Sequence, residues 1–438
     1  LHTLFRSDGR GGFTRWEGAP FDKVASADQT SILGWDAGGS RSLLVGRAVY
    51  EEEGTRSPGG LQYSSTNAFA SSVGRLPASP TSIGPMALGD VEGDGTLELF
   101  AGGRVIPGRY PEPAASRLFR AGAGRWNPDP AVAGLLGRVG LVSGALFSDL
   151  DGDGFPELVV ACEWGPIRVF TWAGGGFREL TAELGFDRWV GWWTGVTAVD
   201  LDGDGRLDLV AGNWGLNTLY HASASEPVQL YYGDLRGGGG LELIEGEPGP
   251  APGTVVPRRD LVVLGAVLPQ LRGRFPSHQA FSGASIPELL QATGAGEALH
   301  LSASTLESMV FLNRGGRFEA RPLPDEVQRA PVFGISVADV DGDGKEDLFL
   351  AQNFFATAPD VPRHDGGRGV LLLGDGRGGF RSLGGNESGI RVNGEGRAAA
   401  FADFDEDGRP DLVVAQNGAE TLLFHNQAGN PGLRIRLK

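Results

Sequence analysis

The nine residues DLDGDGFPE at Asp149–Glu157 recur, with small changes, five times along the chain. Acids stand at positions 1, 3, 5 and 9 of each copy, and glycine at position 6. The sets are Asp90, Glu92, Asp94, Glu98; Asp149, Asp151, Asp153, Glu157; Asp200, Asp202, Asp204, Asp208; Asp339, Asp341, Asp343, Asp347; and Asp403, Asp405, Asp407, Asp411. Four carboxylates within nine residues repel unless a cation lies among them. A hard divalent ion with oxygen ligands removes that conflict. Position 7 adds a backbone carbonyl, from Thr96, Phe155, Arg206, Lys345 and Arg409. A flexible cage of carboxylates and carbonyls suits calcium better than magnesium, so about five Ca²⁺ sites are expected. Plain Asp-Gly turns would suit one copy, not the set. The Asp90 copy is the weakest, because Glu92 puts a longer arm where the others have Asp.

An EF-hand begins in the same way but ends on a bidentate Glu at position 12 and is flanked by helices. Here position 12 is Ala101, Val160, Ala211, Leu350 and Val414, none of which ligates through its side chain. Each belongs instead to a short apolar run such as ELVVACEW or PDLVVAQN, which reads as a strand. An apolar segment precedes each loop (GALFS, TGVTAV, GISVA, AAAFA), so the loop joins two strands. A third strand follows in PIRVFTW, NTLYHA, GVLLLG and TLLFHN, and several copies then reach a glycine-rich turn and a Phe, as in DGRGGF at Asp375–Phe380. About four antiparallel strands per repeat make a β-propeller blade.

Apolar residues are 40% of the 438, enough for a core, and Gly at 72 with Pro at 27 fits a turn-rich all-β chain. The net charge of −16 is local in origin: 20 of the 54 acids stand at positions 1, 3, 5 and 9 of the five loops, and the other 34 face 38 Lys and Arg. With no basic stripe, nucleic acid is not an expected partner. No apolar stretch has the ~18 residues a membrane helix needs. The chain opens at Leu1 on LHTLF, which reads as a strand, so a processed or trimmed segment is expected. The one cysteine, Cys162, sits in LVVACEW and reads as a buried small hydrophobe.

The stretch FGISVADVDGDGKEDLFLAQN resembles the FG-GAP/VCBS repeats of integrin α-subunit propellers. It is closer to bacterial relatives that carry an ASPIC/UnbV-type C-terminal module, as in cartilage acidic protein. GGRVIPGRYPEP, GWWTGVTAVDLDGDGRLDLVAGNWGLNT and TLESMVFLN are similar to the same group, and NQAGNPGLRIRLK is similar to the entry into that module. The resemblance implies a calcium-bearing propeller, secreted or surface-exposed, without implying one activity.

Two degenerate copies, around Asp36 and Asp234, lack the acids at positions 3 and 5 and are expected to be metal-free. With the five intact loops they give seven blades over residues 1–426, and 427–438 begins a truncated C-terminal segment. Loop-start spacings are 54, 59, 51, 34, 105 and 64 residues. The 34-residue step suggests that the Asp200 blade lacks its outer strand. The 105-residue step implies an insertion at about 259–300, with a helix in SIPELLQAT capped by Ser285. LHTLF and the Phe13 strand are expected to complete the last blade and close the ring. Six blades plus an odd domain is the second reading.

Turns between second and third strands fall on the face opposite the metal loops. They bring Arg104, Trp164, Asn213, Trp214, Asn353, Phe354 and Asn417 there, with Trp192 and Trp193 in reach. Amides and aromatic faces suit a sugar or a peptide loop. Tryptophans that pack between blades are the competing reading. The expected function is a calcium-stabilised, extracellular, cell-surface or periplasmic module that recognises a protein or glycan without catalysis. A structural subunit of an envelope assembly comes second. A polysaccharide-acting enzyme comes third, since none of the six histidines adjoins a nucleophile motif and only Arg109-Tyr110 offers a weak lyase pair.

Overall fold

The computed structural model describes residues 3–8, 10–19, 21–22, 24–25, 27–37, 39–50, 58–65, 69, 71–122, 125–294, 298–359 and 361–432. Leu1 and His2 of the expected first strand, and 433–438 of the C-terminal segment, lie outside them. The fold is all-β, built from separate antiparallel sheets.

Each acidic loop joins the first and second strands of one sheet. In the Asp149 sheet, Leu141–Ser148, Glu157–Gly165, Arg168–Ala173 and Gly176–Glu179 lie in that order, and Gly191–Trp192 pairs the inner end of the second strand. The Asp90 and Asp339 sheets repeat the four-strand order. The Asp403 sheet has three strands, Glu395–Ala402, Asp411–Asn417 and Leu422–Phe424. The Asp36 copy forms a sheet too, but its first two strands turn directly from Ala37 to Ser40 with no room for a nine-residue loop.

Six sheets follow one another along the chain, each packing its first strand against the first strand of the next. Small residues on those strands permit the approach. A Cβ on Gly144 would meet the Gly195 Cα at 2.9 Å, and one on Gly334 would meet the Ala398 Cα at 2.9 Å. Short hydroxyl side chains tie the same seams. Ser31 Oγ donates to the Gly84 carbonyl at 2.7 Å, Ser143 Oγ to that of Trp193 at 2.5 Å and Ser336 Oγ to that of Ala399 at 2.6 Å, while Thr194 Oγ1 donates to that of Val332. Between the sheets lie apolar layers such as Val159, Ala161, Trp193, Leu209 and Phe311.

The expected Asp234 blade does not join this series. The Asp200 sheet is complete with four strands, because Gly195–Val199 and Asp208–Gly212 are continued by Met309–Asn313 and Phe318–Pro322. Everything between is an insertion, wider than the 259–300 expected. It holds its own sheet (Val228–Gly233, Glu242–Pro248, Val255–Pro257, Leu299–Ala303) and helices Leu261–Val267, Gln270–Arg274, His278–Phe281 and Ile286–Thr293. These share a core of Leu235, Ile244, Leu264, Leu271, Phe281 and Leu289. The helix in SIPELLQAT starts where expected, with the Glu288 carboxylate accepting from Ser285 N at 2.8 Å. NTLYHA is not a strand. The insertion leaves and returns at one point, where Gly215 N donates to the Leu306 carbonyl at 2.7 Å.

The expected closing strands also differ. Phe5–Ser7 pairs with Phe13–Arg15 as an isolated hairpin rather than with Leu422–Phe424. It leans on the Asp403 loop through Phe13, whose ring lies 5.6 Å from that of Phe404.

Candidate metal centres and an aromatic face

All five loops share one wiring. The ninth acid is buried and accepts from the backbone N–H of position 2: Glu98 from Val91, Glu157 from Leu150, Asp208 from Leu201, Asp347 from Val340 and Asp411 from Phe404. The first Asp gathers N–H groups from the turn. Asp149 Oδ1 accepts from Gly152 at 2.8 Å and its Oδ2 from Gly154 at 2.9 Å, and Asp200 and Asp339 do the same. The fifth acid holds the N–H of position 7, as Asp153 holds Phe155 at 2.8 Å. Glycine at position 6 of every loop, and at position 4 of all but the Asp403 loop, supplies the positive φ this turn demands, 80° at Gly152 and 90° at Gly154.

Carboxylate oxygens converge within 4.8 Å in four loops: Asp149, Asp151, Glu157; Asp200, Asp202, Asp208; Asp339, Asp341, Asp347; and Asp403, Asp405, Asp411. These are positions 1, 3 and 9. Position 5 is not gathered with them; Asp204, Asp343 and Asp407 each pair with the basic residue at position 7. Several oxygens of these clusters are buried with no hydrogen-bond partner among the described residues, namely Glu157 Oε1, Asp202 Oδ1 and Asp403 Oδ1. All-oxygen donors with orphaned lone pairs fit a hard cation such as Ca²⁺. Burial raises the ninth acids above the carboxylate range, Glu157 to about 7 and Asp208 and Asp347 to about 6, with the neighbouring Asp charges adding to the effect. Positive charge among them would favour the ionised form.

In the Asp90 loop that charge is built in. Arg120 forks onto Glu92 at 2.8 and 2.9 Å, reaches Glu98 Oε1 at 3.5 Å and bonds Asp129 at 2.8 Å. Its acids form no converged cluster among the described residues. The Asp234 loop keeps the same backbone wiring, with Asp234 accepting from Gly238 and Gly239 and Glu242 from Leu235. Its position 3 is Arg236, 2.6 Å from Glu242. The same loop shape is kept where a guanidinium stands among the acids, Arg120 in one loop and Arg236 in the other.

The opposite ends of the second strands bring eight of the nine candidate face residues into one continuous band. Arg104 bonds Glu163 at 2.5 Å, and Tyr110 donates to Glu163 and accepts from Trp164 Nε1, each at 2.6 Å. Burial and the Glu163 charge push the Tyr110 hydroxyl well above its usual range, so it is a donor and not a base. From Trp164 the rings run to Trp192 (4.9 Å between centroids), Trp214 (5.6 Å), Phe354 (5.2 Å) and Phe333 (6.2 Å). Arg397 closes the band 4.0 Å over Phe333, paired with Glu395, which also accepts from Asn417. Trp193 lies apart, fully buried between sheets; within the band Trp192 is buried too, in a core cluster with Val228, Ala303 and Leu306, as are Asn213 and Asn353. The amides differ from expectation as well. Asn213 and Asn353 spend their side chains on backbone at Thr305, Trp214, Gly367 and Gly394, so they shape the face rather than offer bonds to a ligand. Asn353 and Trp164 hold φ of 90° and 59° at this rim, a strained geometry the surrounding bonds maintain. Trp192 Nε1, Trp214 Nε1 and Thr305 Oγ1 have no partner among the described residues.

The residues missed in the sequence are the cations and the outer ring. Arg120 on strand Arg117–Gly122, Arg314 (2.5 Å from Asp202) just after Met309–Asn313 and His425 (2.9 Å from Asp405) just after Leu422–Phe424 all lie outside the loops, and nothing in a nine-residue motif points to them. Tyr220, 4.8 Å from Trp192, comes from the insertion.

Residues 149–211 match the family described as FG-GAP-like repeat. No curated protein matches the chain. Among solved structures, the exotype rhamnogalacturonan lyase YesX is 15% identical over 92% of this chain and 72% of its own, with a TM-score of 0.33. The rhamnogalacturonan lyase PL11 of Bacillus licheniformis is 16% identical over 99% and 76%, at 0.32. The V. cholerae biofilm matrix protein Bap1 is 10% identical over 99% and 90%, at 0.33.

Proposed function

We propose, with the FG-GAP-like repeat at residues 149–211 as premise, that this chain is a calcium-stabilised extracellular recognition module. Its six-sheet series is read as a propeller scaffold of six blades carrying the inserted module, and its ligand as a glycan or protein at the cell surface. The observation that carries the reading is the division of labour between two faces. Acidic loops, four of them with converging carboxylates, sit at one end of the second strands. A band of linked aromatic rings flanked by Arg104 and Arg397 sits at the other. Calcium sites of the extracellular kind fill at ~0.1–1 mM, which suits a location outside the cytoplasm. Among the described residues no helix is long and apolar enough to cross a membrane.

The test is retention of the purified chain on immobilised envelope polysaccharide and on envelope protein, in millimolar calcium and then in excess chelator. Calcium-dependent retention that Arg397→Ala abolishes, at an unchanged melting temperature, supports recognition at this face. Retention that survives the substitution moves the ligand elsewhere. Shortened polymer in the eluate would replace recognition with an enzymatic reading.

A further inference from the structure

One register position distinguishes the loops from one another. In each sheet the third strand places a single residue opposite the ninth acid. In the Asp90 sheet the pairing is Glu98 with Arg120. In the others it is one step beyond the pairs Leu158–Phe170, Leu209–Phe311, Leu348–Leu372 and Leu412–Phe424. The residues there are Thr171, Leu312, Leu373 and His425. Arginine at this position fills the Asp90 loop with a guanidinium. Leucine adds no donor to the Asp200 and Asp339 cages.

Histidine does something else. His425 Nε2 lies 2.9 Å from Asp405 Oδ2 and 3.6 Å from Asp407 Oδ2, and these three groups converge within 4.8 Å. This is the one loop among the four converged ones in which the fifth acid is gathered into a cluster, and Asp405 belongs to both clusters of the loop. In the loop's other cluster, which shares Asp405, Asp403 Oδ1 is buried without a partner among the described residues, whereas Asp149, Asp200 and Asp339 each use that atom on backbone N–H groups. The difference coincides with position 4, where Glu406 at φ 63° replaces the glycine of the other converged loops.

The geometry points to a second class of metal site at the Asp403 loop, in which His425 Nε2, Asp405 and Asp407 bind a borderline divalent ion, Zn²⁺ being the probe of choice. Imidazole favours such ions over calcium, which takes oxygen donors alone. The inference rests on reading the loops as metal cages, and the competing role for His425 is a counter-charge like Arg120. Arg409, 2.8 Å from Asp407, must yield or share that carboxylate when the ion enters.

The whole chain is stripped with chelator, returned to millimolar Ca²⁺ and titrated with Zn²⁺ by calorimetry, with Co²⁺ as a spectroscopic probe of nitrogen ligation. One equivalent of Zn²⁺ is expected to bind in the presence of Ca²⁺. His425→Leu restores the residue of two sister repeats, so it should fold; it is expected to weaken Zn²⁺ at least tenfold and leave Ca²⁺ stoichiometry intact. Asp407→Asn should weaken Zn²⁺ at least tenfold as well, with the imidazole still present. Unchanged Zn²⁺ affinity in both variants, or tighter binding in His425→Leu, overturns the site and makes the histidine a counter-charge. Loss of Ca²⁺ binding with Zn²⁺ retained would sink the calcium reading alone.

Discussion

Glu157 is a carboxylic acid held in a cage that favours its proton. Its folded-state value of about 7 lies above the 4.5 of an exposed glutamate, so the folded chain binds more protons than the unfolded chain between those values. Stability of the metal-free protein should therefore fall as pH rises from about 4.5 to about 7, and Asp208 and Asp347 should add to the fall up to about 6. Calcium takes the ionised form, so its stabilising effect should grow over the same window. Melting curves from pH 4.5 to 7.5, with chelator and with calcium, check both slopes; a flat chelator series would mean that the acids are solvated. Arg120 makes the opposite case. Arg120→Leu leaves Glu98 buried beside Glu92 without a cation, which should cost about 2 kcal/mol in a denaturant melt. Calcium should recover part of that loss in the variant while acting on wild type only through the other loops.

At the scale of elements, the acidic motif announced the loop and the strands on either side, because both depend on residues within a dozen positions. Partners that arrive from distant strands left no such trace. Met309–Asn313 completes the Asp200 sheet across the whole insertion, and the 34- and 105-residue spacings were read as a short blade and a long loop because spacing alone cannot say which strand pairs with which. The amides of Asn213 and Asn353 were legible as conserved in position between repeats of this one chain, yet their bonds run to backbone that only the fold brings near. Since the neck of the insertion is closed by Gly215 and Leu306, replacing residues 218–303 with a short Gly-Ser link should leave a folded chain with its calcium stoichiometry unchanged. Circular dichroism and calorimetry check this. Aggregation or loss of a binding equivalent would show that the insertion supports the Asp200 sheet.

For the molecule as a whole, the loops set both charge and stiffness. Filling the four converged cages with dications adds eight charges and takes −16 to −8, visible as slower migration towards the anode in a native gel. Each cage should stabilise the folded state by about 2.7 kcal/mol when free ion exceeds its Kd a hundredfold. Cross-ties are expected to make the gain cooperative. Asn313 Nδ2 donates to Leu150 and Asn426 Nδ2 to Val340, each at 2.7 to 2.8 Å, so the third strand of one sheet holds the loop of its neighbour. Asn313→Ala should therefore weaken calcium at the Asp149 loop several-fold, though it touches no acid of that loop. Isothermal titration checks it, and an unchanged affinity would show that the loops fill independently.

The pairing of Leu209 with Phe311 also fixes a timetable. During synthesis the inner hairpin of the Asp200 sheet emerges about 100 residues before the strand that covers its edge, a wait of roughly 5–20 s at ribosomal speed. For that interval an apolar strand edge stands open in the middle of a half-made protein. The insertion's helices and first three strands emerge in that interval, but its last strand, Leu299–Ala303, only just before Met309, so the nascent chain carries two unfinished sheets, and a chaperone that shields strand edges would find its substrate there.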